Sequence, residues 1–179
     1  MNIVRTLVSL CLSLSLVGCS SVQIVKNGDN INLAKLQKNS SAYIIVAKNG
    51  SHQGKVYDGT GRIVTEIIFS ELSKHLEFVK TSVFVKDFKE GLDKARKQGF
   101  TYVIYPEILD WQYTGGIVWT PSPTQRAELK ISVFNTQTGN LIDSVVIKVN
   151  GLSPWIWAVD APTHTFLYKP IEQYISSLF

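Results

Sequence analysis

Apolar residues first cluster at the very start of the chain. Residues 1–5 form a short segment that ends in the basic residue Arg5, and residues 7–17 form a mainly apolar run. A transmembrane helix needs about 20 apolar residues, so this run is too short to span a bilayer. A basic start followed by a short apolar run is typical of a signal peptide.

A polar stretch separates this run from the first regular pattern. From Ser20 to about Ser40 the chain is polar and rich in turn-forming residues. This composition predicts a flexible tether, whose root-mean-square reach is near 25 Å for about 20 residues. Leu33 and Leu36 leave open an alternative, in which one helical turn of this segment docks on the domain.

Downstream, short apolar runs alternate with helical periodicity. The apolar runs predict five strands, at residues 43–47, 78–85, 102–111, 126–135 and 141–149. The last two strands flank the glycine-containing segment 136–140, a pattern typical of a β-hairpin.

Periodicity and capping residues predict three helices. They cover residues 62–76, with Thr60 as N-cap, the segment between residues 87 and 99, and residues 166–178. In the second helix, Asp87 and Glu90 have the spacing of a capping box, and Gly99 suits a left-handed stop. Gly91 inside it costs about 1 kcal/mol relative to alanine. The third helix is expected to bend near Pro170.

The order of these elements predicts the fold class. It is β-α-β-α-β, followed by a β-hairpin and a helix. Right-handed crossovers make successive strands parallel, while a hairpin adds antiparallel strands. We therefore expect a single α/β domain over residues 41–179, with one mixed β-sheet and three packed helices.

Composition narrows the function classes. The chain is 45% hydrophobic and 18% charged, which suits one globular domain. Its formal net charge is only +4, with no stripe of Lys and Arg, so no nucleic-acid partner is expected. The two cysteines, Cys11 and Cys19, both lie at the start. A chain cut before Cys19 would have no thiol nucleophile or cysteine metal site.

The end of the apolar run resembles the bacterial lipobox. Leu16, Val17 and Gly18 precede Cys19. The resemblance implies that residues 1–18 are removed and that Cys19 carries lipid, including palmitate-type acyl chains, with residues 19–40 as the lipidated tether. Ser20, in place of an aspartate, resembles the outer-membrane default. We therefore expect an outer-membrane anchor facing the periplasm. The alternative is an ordinary signal peptide with an incidental cysteine.

Four stretches together resemble a family of uncharacterised proteobacterial lipoproteins, known as a domain of unknown function. They are residues 54–61, residues 105–111 (Tyr-Pro-Glu-Ile-Leu-Asp-Trp), residues 138–144, and residues 160–162 with 169–171 and 178–179. Residues 112–114 are neutral here, where the family often has charges. More distantly, the arrangement resembles the small α/β domains of the curli secretion lipoprotein and of activators of penicillin-binding proteins. That analogy concerns the fold and does not determine function.

One candidate binding site opens the first predicted helix. Gly59, Thr60 and Gly61 lie there, with Lys55 and Arg62 nearby. Free N–H groups at a helix N-terminus can bind an anion or phosphate. The motif lacks the Gly-Lys-Ser/Thr of a P-loop, and a tight turn with a cap is the favoured alternative.

Two acids are candidate catalytic groups. Glu107 lies in an apolar strand, where a carboxyl group can serve as a general acid. Strict alternation along the strand places Trp111 on the same face as Glu107 and places Asp110 on the opposite face. The alternative role for Glu107 is a hydrogen-bonded carboxylate at a strand end.

Tryptophans form the third candidate site. Trp111, Trp119, Trp155 and Trp157 all fall near strand ends or loops. Such rings could bind sugar rings, peptidoglycan or an envelope protein. The alternative is that they cover the open edge of a small core.

The remaining patterns do not specify chemistry. His52, His75 and His164 lack metal-ligand spacing, and there is no Gly-x-Ser-x-Gly nucleophile motif, so we predict no metal or cofactor. The leading hypothesis is a non-enzymatic, periplasm-facing binding or assembly factor. Alternatives are a cell-wall or lipid hydrolase using Glu107 or Asp110, and a subunit of an oligomeric secretion assembly.

Overall fold

A computed structural model describes residues 21–26, 35–83, 87–113, 123–152 and 163–179. The expected lipidation site Cys19 and the tryptophans Trp119, Trp155 and Trp157 lie outside these ranges. Leu33 of the predicted tether does as well. Their predicted roles therefore stay predictions.

Strands and helices alternate along the described residues before a final run of long strands. The elements are β1 (Ser21–Lys26), β2 (Ser41–Ile44), β3 (Ser51–His52), β4 (Lys55–Val56), α1 (Thr60–Leu72), β5 (Phe78–Thr81), α2 (Phe88–Lys97), β6 (Tyr102–Tyr113), β7 (Pro123–Asn135), β8 (Leu141–Leu152), a 3-10 helix (Thr163–Phe166) and α3 (Tyr168–Ser176). Within the described ranges, no helix is both long and apolar enough to cross a membrane.

Six strands form one mixed sheet in the order β1-β8-β7-β6-β2-β5, and β3 pairs with β4 in a small separate hairpin. The pairs β2–β5 and β2–β6 are parallel, and the pairs β6–β7, β7–β8 and β1–β8 are antiparallel. The predicted α/β fold with one mixed sheet and three helices is confirmed. The parallel half comes from the two β-α-β crossovers, and the antiparallel half from the hairpin and β1.

The segment expected to be a flexible tether contains the first strand. Ser21–Lys26 pairs antiparallel with β8, and Leu36 is buried, with its N–H donating to the Leu178 carbonyl at 2.8 Å. The flexible description is therefore wrong for these residues. The segment Val22-Gln23-Ile24-Val25 contains β-forming residues, but it is short and lies among polar, turn-forming residues, so the sequence pattern did not indicate a strand. In the fold it pairs with the edge of β8 that β7 does not occupy.

The observed boundaries of α1 and α3 differ from those that the sequence pattern predicted. Gly59, with φ of 81°, is the N-cap of α1, and Thr60 is its first residue rather than its cap. The helix ends at Leu72, although Leu76 still reaches the core. At the other end of the chain, Pro170 lies in the first turn of α3, where a missing N–H costs nothing. Pro170 therefore helps to begin a helix, and the expected bend is wrong.

The second helix follows its predicted signals closely. The Asp87 carboxylate accepts the Glu90 N–H at 2.9 Å, and Gly99 has φ of 76°. Gly91 has a packing role that its sequence position did not indicate. A Cβ at this position would overlap the Ile45 side chain, so glycine lets α2 approach the sheet closely.

The two faces of the sheet differ in how they are covered. On one side, which we call the packed face, α1 and α3 bury the main apolar core, which includes Leu129, Ile131, Val145, Ile147 and Ile171. On the other side, α2 covers a smaller cluster next to the parallel strands, formed by Tyr43, Ile45, Ala95, Phe100 and Val103. The antiparallel strands on this second side carry mainly charged and polar residues, and we call that surface the ionic face.

Candidate functional site

A β-bulge in β6 reorganises the residues that the sequence pattern singled out. The pairing of β6 with β7 shifts between Ile108 and Asp110, so Leu109 is an extra residue and is half exposed. A bulge reverses the alternation of side chains beyond it. Trp111 consequently joins the packed face, where only 3% of it is exposed, although it was expected on the face of Glu107.

The same bulge brings the two candidate acids onto one surface. Glu107 lies opposite Lys130, and Asp110 lies opposite Glu128. Because Lys130 and Glu128 are two residues apart on β7, they share a face. The prediction that Glu107 and Asp110 point to opposite faces is therefore wrong. Both lie on the ionic face, because the bulge adds one residue between them.

Each of these acids is held in an ion pair. Glu107 Oε2 lies 3.3 Å from Lys130 Nζ. Asp110 uses both oxygens, with Oδ1 lying 2.8 Å from His52 Nδ1 and Oδ2 lying 3.2 Å from Arg126 Nε. Contacts of this kind hold the side chains in a fixed orientation. The arrangement suits recognition of a charged or polar partner.

His52 was not recognised as a site residue from the sequence. It lies in β3, which packs beside the part of β6 that extends beyond the end of β2. Its partner Asp110 is 58 positions away in the chain. No local spacing signals a contact over such a separation, so only the fold could reveal it.

A concave surface near the start of α1 brings together two of the predicted binding residues, Thr60 and Trp111, and we call it the aromatic cleft. It has a volume of about 360 Å³, and its lining includes Tyr57, Asp58, Thr60, Trp111, Tyr113 and His164. Tyr57, Tyr113 and His164 are partly exposed, while Trp111 forms a nearly buried wall. Ring side chains beside a carboxylate can stack on a ligand and also orient it.

The glycine-rich start of α1 lies next to this cleft. The Thr60 hydroxyl donates to the Tyr57 carbonyl at 2.7 Å and accepts the Gly50 N–H at 2.8 Å. The Gly61 N–H donates to Asn49 Oδ1 at 3.2 Å. These contacts join the preceding loop to the helix, as the tight-turn alternative expected. Anion binding by Gly59, Thr60 and Gly61 stays a prediction.

Arg62, the fourth residue of the predicted anion site, forms an ion pair with Glu66 on the same helix. Its Nη1 atom lies 2.8 Å from Glu66 Oε1, one helical turn along α1. Both side chains are mostly exposed. Exposed pairs of this kind contribute little to stability and exchange readily with solvent ions.

A second concave surface lies at the carboxyl end of β2. It has a volume of about 240 Å³, and its lining includes Lys48, Asp87, Tyr105, Glu107 and Leu109. Burial raises the pKa of the Tyr105 phenol, and the nearby carboxylates of Glu107 and Asp87 raise it further. Tyr105 therefore stays a neutral hydrogen-bonding group at neutral pH. Crevices at the carboxyl ends of parallel strands are common ligand sites in α/β folds.

The described ranges contain no cluster of potential metal ligands. No group of three or more His, Cys, Asp or Glu side chains there could hold a metal ion. His52 and His164 lie in different parts of the fold, His52 beside Asp110 and His164 in the aromatic cleft.

Three solved structures of bacterial proteins are similar to this chain to different degrees. The PelC dodecamer from Paraburkholderia phytofirmans is similar with a TM-score of 0.62 and 15% identity, covering 89% of this chain and 97% of that chain. Lipoprotein GNA1162 from Neisseria meningitidis has a TM-score of 0.50 and 12% identity, covering 77% and 99%. The LpoB C-terminal domain from Salmonella enterica has a TM-score of only 0.40 and 18% identity, covering 59% and 80%. At these identities the likeness concerns the fold alone.

Sequence similarity identifies the family. No curated protein matches this chain significantly in sequence. A family model described as a domain of unknown function, DUF4823, matches residues 34–178, which is nearly the whole domain. The resemblance to a family of unknown function is thus confirmed, although the motif at residues 105–111 is not tested separately. The chain belongs to the DUF4823 family.

Proposed function

We propose that this protein is a lipid-anchored component of the bacterial cell envelope that binds a periplasmic partner without catalysing a reaction. Lipid on Cys19 would hold it on the outer membrane. The aromatic cleft would contact the partner, either an envelope protein or peptidoglycan. The observation that carries this proposal is the convergence of Tyr57, Trp111, Tyr113 and His164 on one cleft.

The chemistry of the cleft supports a binding role. Rings supply a large apolar contact area with few rotatable bonds, and they stack on sugar rings or on peptide side chains. Asp58 adds an exposed carboxylate at the same cleft. Lys55 Nζ lies 4.9 Å from the centre of the Tyr57 ring, which holds that ring in place through a cation–π contact.

The anchor is supported by the lipobox-like residues before Cys19 and by the fold. A solved structure with this fold is itself described as a lipoprotein, GNA1162. Several acyl chains hold a protein firmly on a membrane, whereas one chain holds it only marginally.

The anchor can be tested by labelling cells with a clickable palmitate. The wild-type protein should incorporate label and be cleaved before Cys19, while Cys19→Ser should lose the label and accumulate as precursor. Cys11→Ser is the matched control and should behave like wild type. Undiminished labelling of Cys19→Ser would refute the lipid anchor.

The binding role can be tested with a photo-crosslinking amino acid at Tyr57. Activation in intact cells should give discrete adducts with an envelope protein or with peptidoglycan fragments. The same amino acid at Gln137, an exposed position in the β7–β8 turn, is the control and should give none. Identical adducts from both positions would contradict a specific site at the cleft.

A hydrolase is the weaker proposal. Glu107 and Asp110 share a face, but each is engaged by a cationic or histidine partner, which favours a structural or recognition role. Glu107→Gln should leave the envelope phenotype and the stability of the protein unchanged. Loss of function with unchanged stability would revive the hydrolase proposal.

An oligomeric assembly is the second candidate function. PelC, which shares the fold, was solved as a dodecamer. In this chain, β1 and β5 are the outer strands of the described sheet, and they expose Val22, Val25 and Phe78. Two different open edges could join copies head to tail into a ring. Light scattering on the unlipidated domain should then give several times the monomer mass, and a monomer at high concentration would exclude a ring.

A further inference from the structure

The pairing of β1 determines where the amino terminus of the domain lies. Ser21 pairs with Asn150 near the end of β8, and Lys26 pairs with Val145. Pro123, the first residue of β7, pairs with Leu152, the last residue of β8. We call this end of the sheet, where β1 and β7 begin and β6 and β8 end, the anchor end.

Only Ser20 separates β1 from the proposed lipidation site. Two residues of extended chain span at most about 7 Å, from Cys19 to Ser21. A flexible tether of about 20 residues would instead reach about 25 Å on average. If Cys19 carries lipid, the pairing of β1 with β8 therefore keeps the anchor end close to the bilayer.

We propose that the domain docks on the membrane surface with its anchor end against the lipid headgroups, and that β1 is a short, structured link to the lipid. The proposal rests on the lipid anchor described above. Its partner is the lipid bilayer itself. The sheet then stands on the membrane, and the β7–β8 turn points into the periplasm.

The dimensions of the sheet make this orientation measurable. β8 has 12 residues, and an antiparallel strand rises about 3.4 Å per residue, so the β7–β8 turn lies about 35–40 Å from the anchor end. The 3-10 helix lies at the anchor end as well, since the Thr163 hydroxyl donates to the Gln112 carbonyl at 3.2 Å. Val22 and the exposed Lys169 line a shared groove there.

The orientation also restricts the partner of the aromatic cleft. Trp111 and Tyr113 lie in the last residues of β6, so the cleft opens near the anchor end. A partner that reaches it must be accessible at the membrane surface.

The test uses the full-length lipidated protein in vesicles of phosphatidylethanolamine and phosphatidylglycerol. Removal of the signal peptide takes away Cys11, and acylation blocks Cys19, so one introduced cysteine can be labelled uniquely. A donor dye is placed at the anchor end in Lys169→Cys or at the β7–β8 turn in Thr138→Cys, and headgroups carry an acceptor. Energy transfer should be severalfold higher from position 169. Equal transfer from both positions would overturn the proposal.

A second variant tests whether β1 is the link. The double variant Ile24→Pro/Val25→Pro removes two successive N–H groups, which point to opposite sides of a strand, so that a ladder hydrogen bond to β8 is lost. It should release β1 and largely abolish the difference between the two positions. Persistence of the difference would refute the role of β1. Mass spectrometry on every sample separates the two proposals. Absent acyl chains would refute the anchor, whereas intact acyl chains with equal energy transfer would refute only the orientation.

Discussion

The packed face and the ionic face are built from alternate residues of the same strands, yet they contribute differently to the stability of the fold. On β8, Ile147 is fully buried beneath the helices, while its neighbour Lys148 lies on the partly exposed ionic face. The Lys148 Nζ atom is 3.0 Å from Glu128 Oε1. Burial of apolar area dominates folding free energy, whereas exposed ion pairs contribute little. The packed face therefore supplies stability, and the ionic face is free to be adapted for recognition.

The largest predicted effect tests this division on adjacent residues of β8. Ile147→Ala should lower the free energy of unfolding by about 2–5 kcal/mol, because it removes buried methyl groups and leaves a cavity. Lys148→Ala is the matched control and should change it by less than about 1 kcal/mol. Urea denaturation of both variants measures the difference. Comparable losses would contradict the division of labour between the faces.

The next effect tests how closely α1 approaches the rest of the domain. A Cβ on Gly61 would overlap the backbone carbonyl group of Ala47, and backbone cannot yield as a side chain can. Gly61→Ala should destabilise the protein by about 1–3 kcal/mol, despite the higher helix propensity of alanine. Arg62→Ala, at the exposed neighbouring position, should fall within about 0.5 kcal/mol of wild type. A neutral Gly61→Ala in thermal unfolding would show that the junction is loose.

A smaller effect concerns a polar atom within the packed side. The Tyr174 hydroxyl is buried without a hydrogen-bond partner among the described residues, and burial, together with the charge of Asp143, raises the pKa of its phenol above the usual 10.0. The folded state keeps this proton at pH values where the unfolded chain has lost it. The free energy of unfolding should therefore fall as the pH rises above about 10.

Tyr174→Phe should flatten this alkaline fall. It should also stabilise the protein at neutral pH by about 1 kcal/mol, because the buried hydroxyl is removed. Denaturant titrations from pH 7 to pH 11 on both proteins measure the two effects. An unchanged alkaline slope would assign the effect to other tyrosines, since burial also raises the pKa of Tyr43.

The smallest effect is expected on the ionic face. A double-mutant cycle with Glu128→Ala and Lys148→Ala should give a coupling free energy of about 0.2–1 kcal/mol, because the two residues are cross-strand partners. The coupling should weaken further in high salt. A value above about 2 kcal/mol would show that the ionic face is more shielded from water than its exposure indicates.

Sequence patterns predicted the parts of the fold that depend on local periodicity. The five strands and three helices were expected from apolar spacing, and the signals at Asp87 and Gly99 marked the ends of α2. β1 was missed, because six residues between polar loops form a strand only when an edge such as that of β8 is available. Long-range pairing supplies that information, and local propensity does not.

The candidate site was less predictable, for the same physical reason. Trp111 and Thr60 were singled out separately, and the fold brings them to one cleft. Their neighbour His164 and the contact between His52 and Asp110 depend on segments far apart in sequence. The faces of Glu107 and Asp110 were predicted wrongly because the extra residue of the bulge has no recognisable sequence signature.

The bulge at Leu109 shifts the alternation of inward-facing and outward-facing side chains along β6. One additional residue changes the phase of every side chain after it, from Asp110 to Tyr113, and leaves all those before it unchanged. Removal of Leu109 would leave Ile108 paired with Leu129 and Asp110 paired with Glu128 in an uninterrupted ladder, so each side chain would keep its present face. The bulge is therefore a position where β6 can change length by one residue without exchanging its interior and its exterior.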